Sequence, residues 1–153
     1  MTHRLVLRTS DKDGKAHNGF QWPVSGMVEC PDWKPVASCG NGLHGIIWPE
    51  GDWSDIKDYD DAIWQVVKVK EEDLVHIGGK VKFPRGEVVY SGLFAVAFTM
   101  VAKEFVAQLP TSYAGSVDVK SDVQGSDALT TDKRYAQISS SGDSAQIGSS
   151  GVY

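Results

Sequence analysis

Apolar and polar positions alternate along several short segments of the chain, in the pattern of β-strands that bury one face. Residues 4–8 (RLVLR) predict a first strand, and residues 62–69 (AIWQVVKV) predict the longest one. The segments VKF at 81–83 and EVVYS at 87–91 predict two more strands after the turn at Gly78. Because short turns separate these later segments, we expect a mostly antiparallel sheet with local connections.

The segment 93–109 (LFAVAFTMVAKEFVAQL) has a different pattern, because its apolar positions run almost all round a helical turn. It lacks Gly and Pro, is rich in Ala and ends at Pro110, which predicts a helix of about four turns. We expect this helix to be largely buried on the sheet; an amphipathic helix that binds a partner is the alternative. Its apolar run is too short for the roughly 20 residues of a membrane span, so we expect no membrane crossing.

Bulky aromatic residues are concentrated between the first and second predicted strands. They stand among Gly and Pro, which predicts short strands and turns rather than helix: Phe20, Trp22, Trp33, Trp48 and Trp53. Trp48 and Trp53 flank the turn WPEGDW, and we predict them as candidate ligand-binding residues that stack on a planar ligand; covering the sheet is their alternative role. The acidic run that follows lacks the spacing of a calcium-binding loop and predicts a solvated loop.

The composition shifts to Ser, Gly, Asp and Thr after Pro110, which places a domain boundary there. Within this tail, YAQISSSGD at 135–143 is followed by SAQIGSSGV at 144–152, a repeat of nine residues. Ala and Ile two positions apart would face one side of a strand, as in a β-solenoid coil; a disordered tail is the alternative. We therefore predict an α+β domain at 1–110, a linker at 111–134 and the start of a shortened repeat array at 135–153.

Charge and cysteine content narrow the function. The formal net charge is −5 at pH 7, which works against binding to nucleic acid or to anionic lipid. The chain holds 2 cysteines, Cys30 and Cys39, and therefore no disulfide framework. Its start, MTHRLVLRTS, lacks the apolar core of a signal peptide, so we expect a cytoplasmic protein.

The most distinctive short motif is CGNGLH at 39–44. It predicts a tight turn in which Gly40 and Gly42 take positive φ and His44 begins a strand. Cys30, Cys39 and His44 do not have a standard zinc spacing, so we predict no metal. A Cys nucleophile with a His base is one alternative; a buried Cys beside a His that hydrogen-bonds the turn is the other.

The motif belongs to a wider pattern that resembles a known family. A GF near the start, Cys-x-x-Gly-apolar-His in CGNGLH, the strand IWQVVKV, the segment KVKFPRGE and the Ala/Ile/Ser/Gly repeat tail are similar to a phage and prophage domain family of unknown function. The resemblance covers most of residues 17–90 and the tail. It implies a viral setting, either in a bacterial host or in the virion, and it names no activity.

A second resemblance is to ADP-ribosyltransferases, which carry a basic residue, a middle-strand His and a late-strand Glu. Arg8, His44 and Glu87 occur in that order. The resemblance implies that Arg8 or His44 grips NAD and that Glu87 holds the ribose hydroxyl as nicotinamide leaves. The chain departs from that family because it lacks a Ser-Thr-Ser strand and has Arg85 where a second Glu or Gln is usual.

Two functional hypotheses follow. The first is a non-enzymatic phage-type accessory or binding domain without a cofactor, which binds a protein or a small molecule and is carried on a repeat stalk that can assemble chains into a homo-oligomer. The second is an NAD-using transferase with Arg8, His44 and Glu87 in one cleft.

Overall fold

A computed structural model describes residues 2–114. Seven strands and two helices follow one another in this order: β1 His3–Ser10, β2 Gly26–Glu29, β3 Leu43–Gly45, β4 Ile63–Lys70, β5 Val75–Ile77, β6 Lys80–Phe83, β7 Arg85–Gly92, α1 Phe94–Gln108 and α2 Thr111–Ala114. The chain divides after Gln108 into two units, and α2 belongs to the second. The α+β class is confirmed, whereas the predicted solenoid repeat at 135–153 lies outside the described residues.

The strands form two antiparallel sheets instead of the single sheet expected. A four-stranded sheet has the order β1-β4-β7-β2, and a three-stranded sheet has the order β3-β6-β5. The predicted strands 4–8, 62–69 and 87–91 fall in the larger sheet, but VKF pairs with β3 in the smaller one. The distant segment at Leu43 supplies that partner, which local periodicity does not indicate.

The two faces of the larger sheet bury different clusters, because successive side chains of a strand point to opposite sides. On one face, Val6, Val67 and Val88 pack with residues of the smaller sheet, such as Phe83. On the other face, Leu7 and Val66 pack against α1, together with several aromatic side chains. The domain therefore has three layers: the smaller sheet, the larger sheet and α1.

The helix α1 is found where the sequence predicts it, but the expectation that it is largely buried is wrong. Only Ala97 and Val101 of this helix are buried, whereas Val96 and Val106 are 44 % and 55 % exposed. The helix is an outer layer, so only the side that faces the sheet loses contact with solvent. Within residues 2–114 no helix has the length and apolar character needed to cross a membrane.

A polar contact fixes α1 to the edge of the larger sheet. The backbone N–H of Leu5 donates to both carboxylate oxygens of Glu104, at 2.9 and 3.0 Å. Further along the same edge, Leu7 and Ile46 exchange backbone hydrogen bonds at 2.8 and 2.9 Å. These contacts satisfy backbone groups of β1 that β4 does not reach, which limits pairing with another chain at this edge.

Candidate functional site

A cavity of about 910 Å³ opens between the end of β1, the strand β3 and the loops around them. We call it the Arg8 cavity, after the charged residue at its inner wall. Its walls also include Phe20, Trp22, His44 and Tyr59. The volume lies within the range of roughly 300 to 1,000 Å³ that is typical of small-molecule sites.

Arg8 is held at this wall by contacts that carry no negative charge. Its guanidinium carbon lies 3.7 Å from the ring centroid of Trp22, and Nη1 donates to the side-chain oxygen of Gln65, the residue opposite Arg8 in the sheet. The Gln65 amide is itself held, because Nε2 lies 3.3 Å from both the Pro23 carbonyl oxygen and the Ser91 hydroxyl oxygen. The arrangement fixes the plane of the guanidinium.

The charge of Arg8 is buried without a counter-charge. The residue is 8 % exposed, and among residues 2–114 no carboxylate lies within 4.0 Å of its guanidinium. Burial lowers the pKa of Arg8 to about 9, an effect that Tyr59 opposes, so the group keeps its proton at neutral pH. A buried cation that lacks a hydrogen-bonded partner of opposite charge is costly for a folded protein.

Two further nitrogen atoms at the cavity have no partner within the described part of the chain. Nε of Arg8 and Nε2 of His44 are both shielded from solvent and make no hydrogen bond there. Nη2 of Arg8 is not among the shielded atoms, and no described group accepts from it. Nη2 is therefore the guanidinium nitrogen that remains for an occupant of the cavity.

His44 enters the cavity wall from β3, where it pairs with Lys82. Burial lowers the pKa of His44, and the positive charges of Lys80 and Lys82 lower it further. The imidazole is therefore neutral at pH 7, which agrees with the unpartnered Nε2.

We expect the lowered pKa of His44 to make the domain less stable in mild acid. The unfolded chain takes up a proton near the ordinary His pKa of about 6.5, whereas the folded domain takes it up only at lower pH, so acid favours unfolding. Urea unfolding at pH 7, 6 and 5 should show a decline in the free energy of unfolding that is smaller in His44→Gln. His76→Gln, on an exposed side chain of β5, is the control and should keep the full decline. Equal declines in wild type and His44→Gln would contradict this role.

The CGNGLH turn differs in detail from its prediction. Gly40 has φ +85°, as expected, but the second positive φ belongs to Asn41 (51°) and not to Gly42. Gly42 instead lies in a tight space, because a Cβ there would lie 3.1 Å from atoms of Trp33 and of Lys82. The turn is fastened by the buried Lys82, whose Nζ donates to the Gly40 carbonyl oxygen at 3.2 Å.

The two cysteines do not share an environment. Cys30 is buried and its thiol donates to Asp32 at 3.1 Å, whereas Cys39 is exposed. Among residues 2–114 no group of three His, Cys, Asp or Glu side chains is arranged to hold a metal ion.

The structure brings together two of the three residues that the transferase hypothesis requires. Arg8 and His44 line the same cavity, but Glu87 does not. Glu87 pairs with Lys68 on β4, while Arg8 pairs with Gln65, three positions away. Because side chains alternate along β4, these pairs project from opposite faces of the sheet, and Glu87 lies on the face of α1.

Trp48 and Trp53, the predicted ligand-binding pair, also lie on the α1 side. Trp48 makes edge contacts with Phe98 and Phe105 at centroid distances of 5.2 and 5.3 Å. Trp53 packs between Trp64 and Phe94 at 6.3 and 6.2 Å. Both rings belong to the cluster under the helix, and neither lines the Arg8 cavity.

Sequence reasoning missed Trp22, Gln65 and Tyr59 as parts of the site. One signal was available, because Gln65 is the polar residue in the middle of the apolar strand AIWQVVKV and is 1 % exposed. A buried amide in such a strand normally has a specific hydrogen-bond partner. That Arg8 is the partner depends on the β1–β4 register, which the sequence alone does not supply.

This chain is similar to one family of protein domains and to several named bacterial proteins. Residues 4–95 match a domain of unknown function (DUF7666). An ice nucleation protein of Enterobacter agglomerans is 38 % identical over 126 residues, which cover 78 % of this chain and 10 % of that protein. The ice nucleation protein InaA of Pantoea ananas is 34 % identical over 131 residues, 84 % of this chain and 10 % of that protein. An ice nucleation protein of Pseudomonas fluorescens is 41 % identical over 90 residues, 58 % of this chain and 7 % of that protein.

These comparisons correct several predictions. The resemblance to a domain family of unknown function is confirmed. The phage-type function, the viral setting and the cytoplasmic or virion location are wrong, because the relatives are ice nucleation proteins of cellular bacteria. The likeness to ADP-ribosyltransferases finds no support among them. No solved structure matches the chain, and the chain spans about a tenth of the length of the relatives.

Proposed function

Because the chain belongs to the DUF7666 family of domains of unknown function, we propose from its relatives that it is the non-repetitive head of an ice nucleation-type protein. The observation that carries the proposal is the identity of 34 to 41 % with several curated ice nucleation proteins. The head would position the rest of such a protein, and the repeats would act on water.

The repeats and the head domain suit different roles, because their surfaces differ. A template for ice needs an ordered surface that extends over many water molecules, and a repeat array supplies such a surface by stacking identical units. The unit that ends at Gln108 has instead a cavity of about 910 Å³ and several loops, which suit binding and positioning. The nine-residue repeat at 135–153 would then form the first coils of a β-solenoid.

The similarity to the ice nucleation proteins covers more than residues 2–114. The match to InaA covers 84 % of this chain, which is more than residues 2–114 account for. The similarity therefore extends beyond the residues that the structure describes.

A domain exchange tests the proposal. The matching region of the Enterobacter agglomerans protein is replaced by residues 1–114 of this chain, and droplets of cells that produce the hybrid are cooled until they freeze. We expect freezing at the temperature of the unaltered relative, and at a lower temperature when the matching region is simply deleted. The hybrid with Gly45→Val is the matched control, because the added side chain would clash with Val6 and Leu7 and unfold much of the domain.

Two results would contradict the proposed function. If deletion of the matching region leaves the freezing temperature unchanged, the head has no part in ice nucleation. If the folded hybrid freezes no higher than the deletion, this chain does not supply the head function of its relatives.

A further inference from the structure

We propose that the Arg8 cavity binds a small organic anion, with one carboxylate or phosphate oxygen on Nη2 of Arg8 and an apolar body against Phe20 and Tyr59. The inference goes beyond the role in ice nucleation and does not depend on it. It is a binding function, with no covalent step.

The positive charge of Arg8 is buried without a counter-charge among the described residues. The side chain is more than nine-tenths buried, its known partners Gln65 and Trp22 are neutral, and among the described residues no carboxylate lies within 4.0 Å. The face of a Trp ring attracts a cation but does not neutralise its charge, so it offsets only part of the cost of burial. An anionic oxygen in the cavity would supply the missing counter-charge.

The guanidinium of Arg8 is already oriented for a ligand. The guanidinium plane is fixed on one side by Trp22, which is 3 % exposed, and at Nη1 by Gln65, which is 1 % exposed. A donor that is already oriented loses little conformational entropy when a ligand arrives. Nη2 has no acceptor among the described residues, and Arg8 lines the cavity, so this nitrogen is available to an occupant.

The aromatic side chains of the cavity wall suit an apolar body on the ligand. Phe20 and Tyr59 line the cavity and are only partly buried, so they keep apolar surface that an occupant can cover. Phe20 is held by an edge contact with Trp22 at a centroid distance of 5.8 Å. Aromatic walls beside one oriented cation suit a planar or aromatic body that carries a single acidic group.

The charged residues of the cavity wall bear on the charge that a ligand can carry. Exposed carboxylates stand among the wall residues at Asp32, Asp55 and Asp58. Asp55 is 4.0 Å from Lys80, and Asp32 accepts from Asn41 at 2.7 Å, so two of the three are engaged by neighbours. Lys57 and Lys80 also line the cavity, so the three carboxylates are partly balanced and the rim does not concentrate positive charge. Such a wall favours a small monoanion or dianion that pairs with Arg8 over a polyanion.

The test uses four probes on the whole 153-residue chain by isothermal titration calorimetry. Benzoate carries a carboxylate, phenyl phosphate carries a phosphate, inorganic phosphate lacks the apolar body, and benzamide has the shape of benzoate without its charge. We expect benzoate or phenyl phosphate to bind at least tenfold more tightly than benzamide, since a hydrogen bond to a charged group is worth roughly 1.5 to 3 kcal/mol. The tighter of the two identifies the carboxylate or the phosphate as the natural acidic group, and inorganic phosphate should bind more weakly than phenyl phosphate.

Variants connect the binding to Arg8. Arg8→Met should weaken the tighter probe at least tenfold, whereas Arg85→Met, an exposed Arg outside the cavity, should leave it unchanged. Should Arg8→Met fail to fold, Tyr59→Ala keeps the guanidinium, Gln65 and Trp22 and should weaken the aromatic probes several-fold. The proposal is overturned if no probe binds at millimolar concentration, if benzamide binds as well as the anions, or if neither cavity variant affects binding.

Discussion

Gly45→Val should destabilise the domain by more than about 3 kcal/mol, which is enough to unfold much of a domain whose total stability is typically about 5 to 15 kcal/mol. Gly45 lies where β3 crosses closely over β1. A Cβ at this position would stand 2.4 Å from Cγ1 of Val6 and 2.8 Å from the carbonyl oxygen of Leu7. Both neighbours are fully buried, with core side chains packed on the two faces of β1, so they cannot move aside.

The expected direction is opposite to that of strand propensity, since Val favours β-strands and Gly does not. Gly19→Ala is the matched control, because a Cβ there meets nothing within 4 Å and only the positive φ of +85° opposes it, at a cost of roughly 1 to 2 kcal/mol. Chemical denaturation of both variants measures the difference. A Gly45→Val protein as stable as Gly19→Ala would show that β3 does not cross β1 as described.

Trp22→Ala should lower the free energy of unfolding by about 3 to 5 kcal/mol, the usual range when a large buried side chain is truncated. Trp22 is 3 % exposed in the core between the two sheets, and its ring also faces the Arg8 guanidinium. Trp22→Phe keeps an aromatic face for the cation and should lower the free energy of unfolding by less. Denaturant midpoints at constant m-value give the comparison.

The control for Trp22 is Trp33→Ala, which removes a partly buried ring at the edge of the same cluster. That loss should be smaller. Combining Trp22→Ala with Arg8→Met should cost less than the sum of the two single changes, because the guanidinium no longer has to be held without its ring. Additive losses would mean that Arg8 and Trp22 are not in contact.

The elements that could be predicted are those whose signal is local. The β4 strand at Ile63–Lys70 and the helix at Phe94–Gln108 follow from periodicity, and Pro110 marks the end of that region correctly. The second sheet could not be predicted in this way, because Leu43 pairs with Phe83 across 40 positions of chain. Pairing over such distances depends on tertiary packing and leaves no trace in a short window.

The candidate site, like the second sheet, could be predicted only in part from the sequence. The sequence identifies Arg8 and His44 as polar residues on predicted strands, and the structure places both at one cavity. It cannot tell on which side of the sheet Glu87 lies, because that depends on the register between β4 and β7, which is interrupted near Val66. Trp48 and Trp53 flank the turn WPEGDW, a position that suits stacking on a ligand or covering the sheet, and the helix that packs on them comes 40 or more residues later.

The burial of charge could not be predicted either. Lys82 occurs in VKF, where alternation places it on the side opposite Val81 and Phe83, yet it is 1 % exposed. Its alkyl chain and ammonium are enclosed by the CGNGLH turn and by Trp33, whose ring centroid is 5.4 Å from Nζ. A long cationic side chain can be buried in this way when a carbonyl and an aromatic face receive its charge.

The most direct test of ligand binding in the Arg8 cavity uses tryptophan side chains on the two faces of the larger sheet as reporters. Trp22 lines the Arg8 cavity, whereas Trp48, Trp53 and Trp64 lie under α1. In ¹H–¹⁵N spectra of the whole chain, benzoate should shift the indole N–H signal of Trp22 in a saturable way and leave those of Trp48, Trp53 and Trp64 in place. Benzamide should shift none of these four signals. Shifts at Trp48 or Trp53 without a shift at Trp22 would contradict the account and place the ligand on the helix side of the sheet.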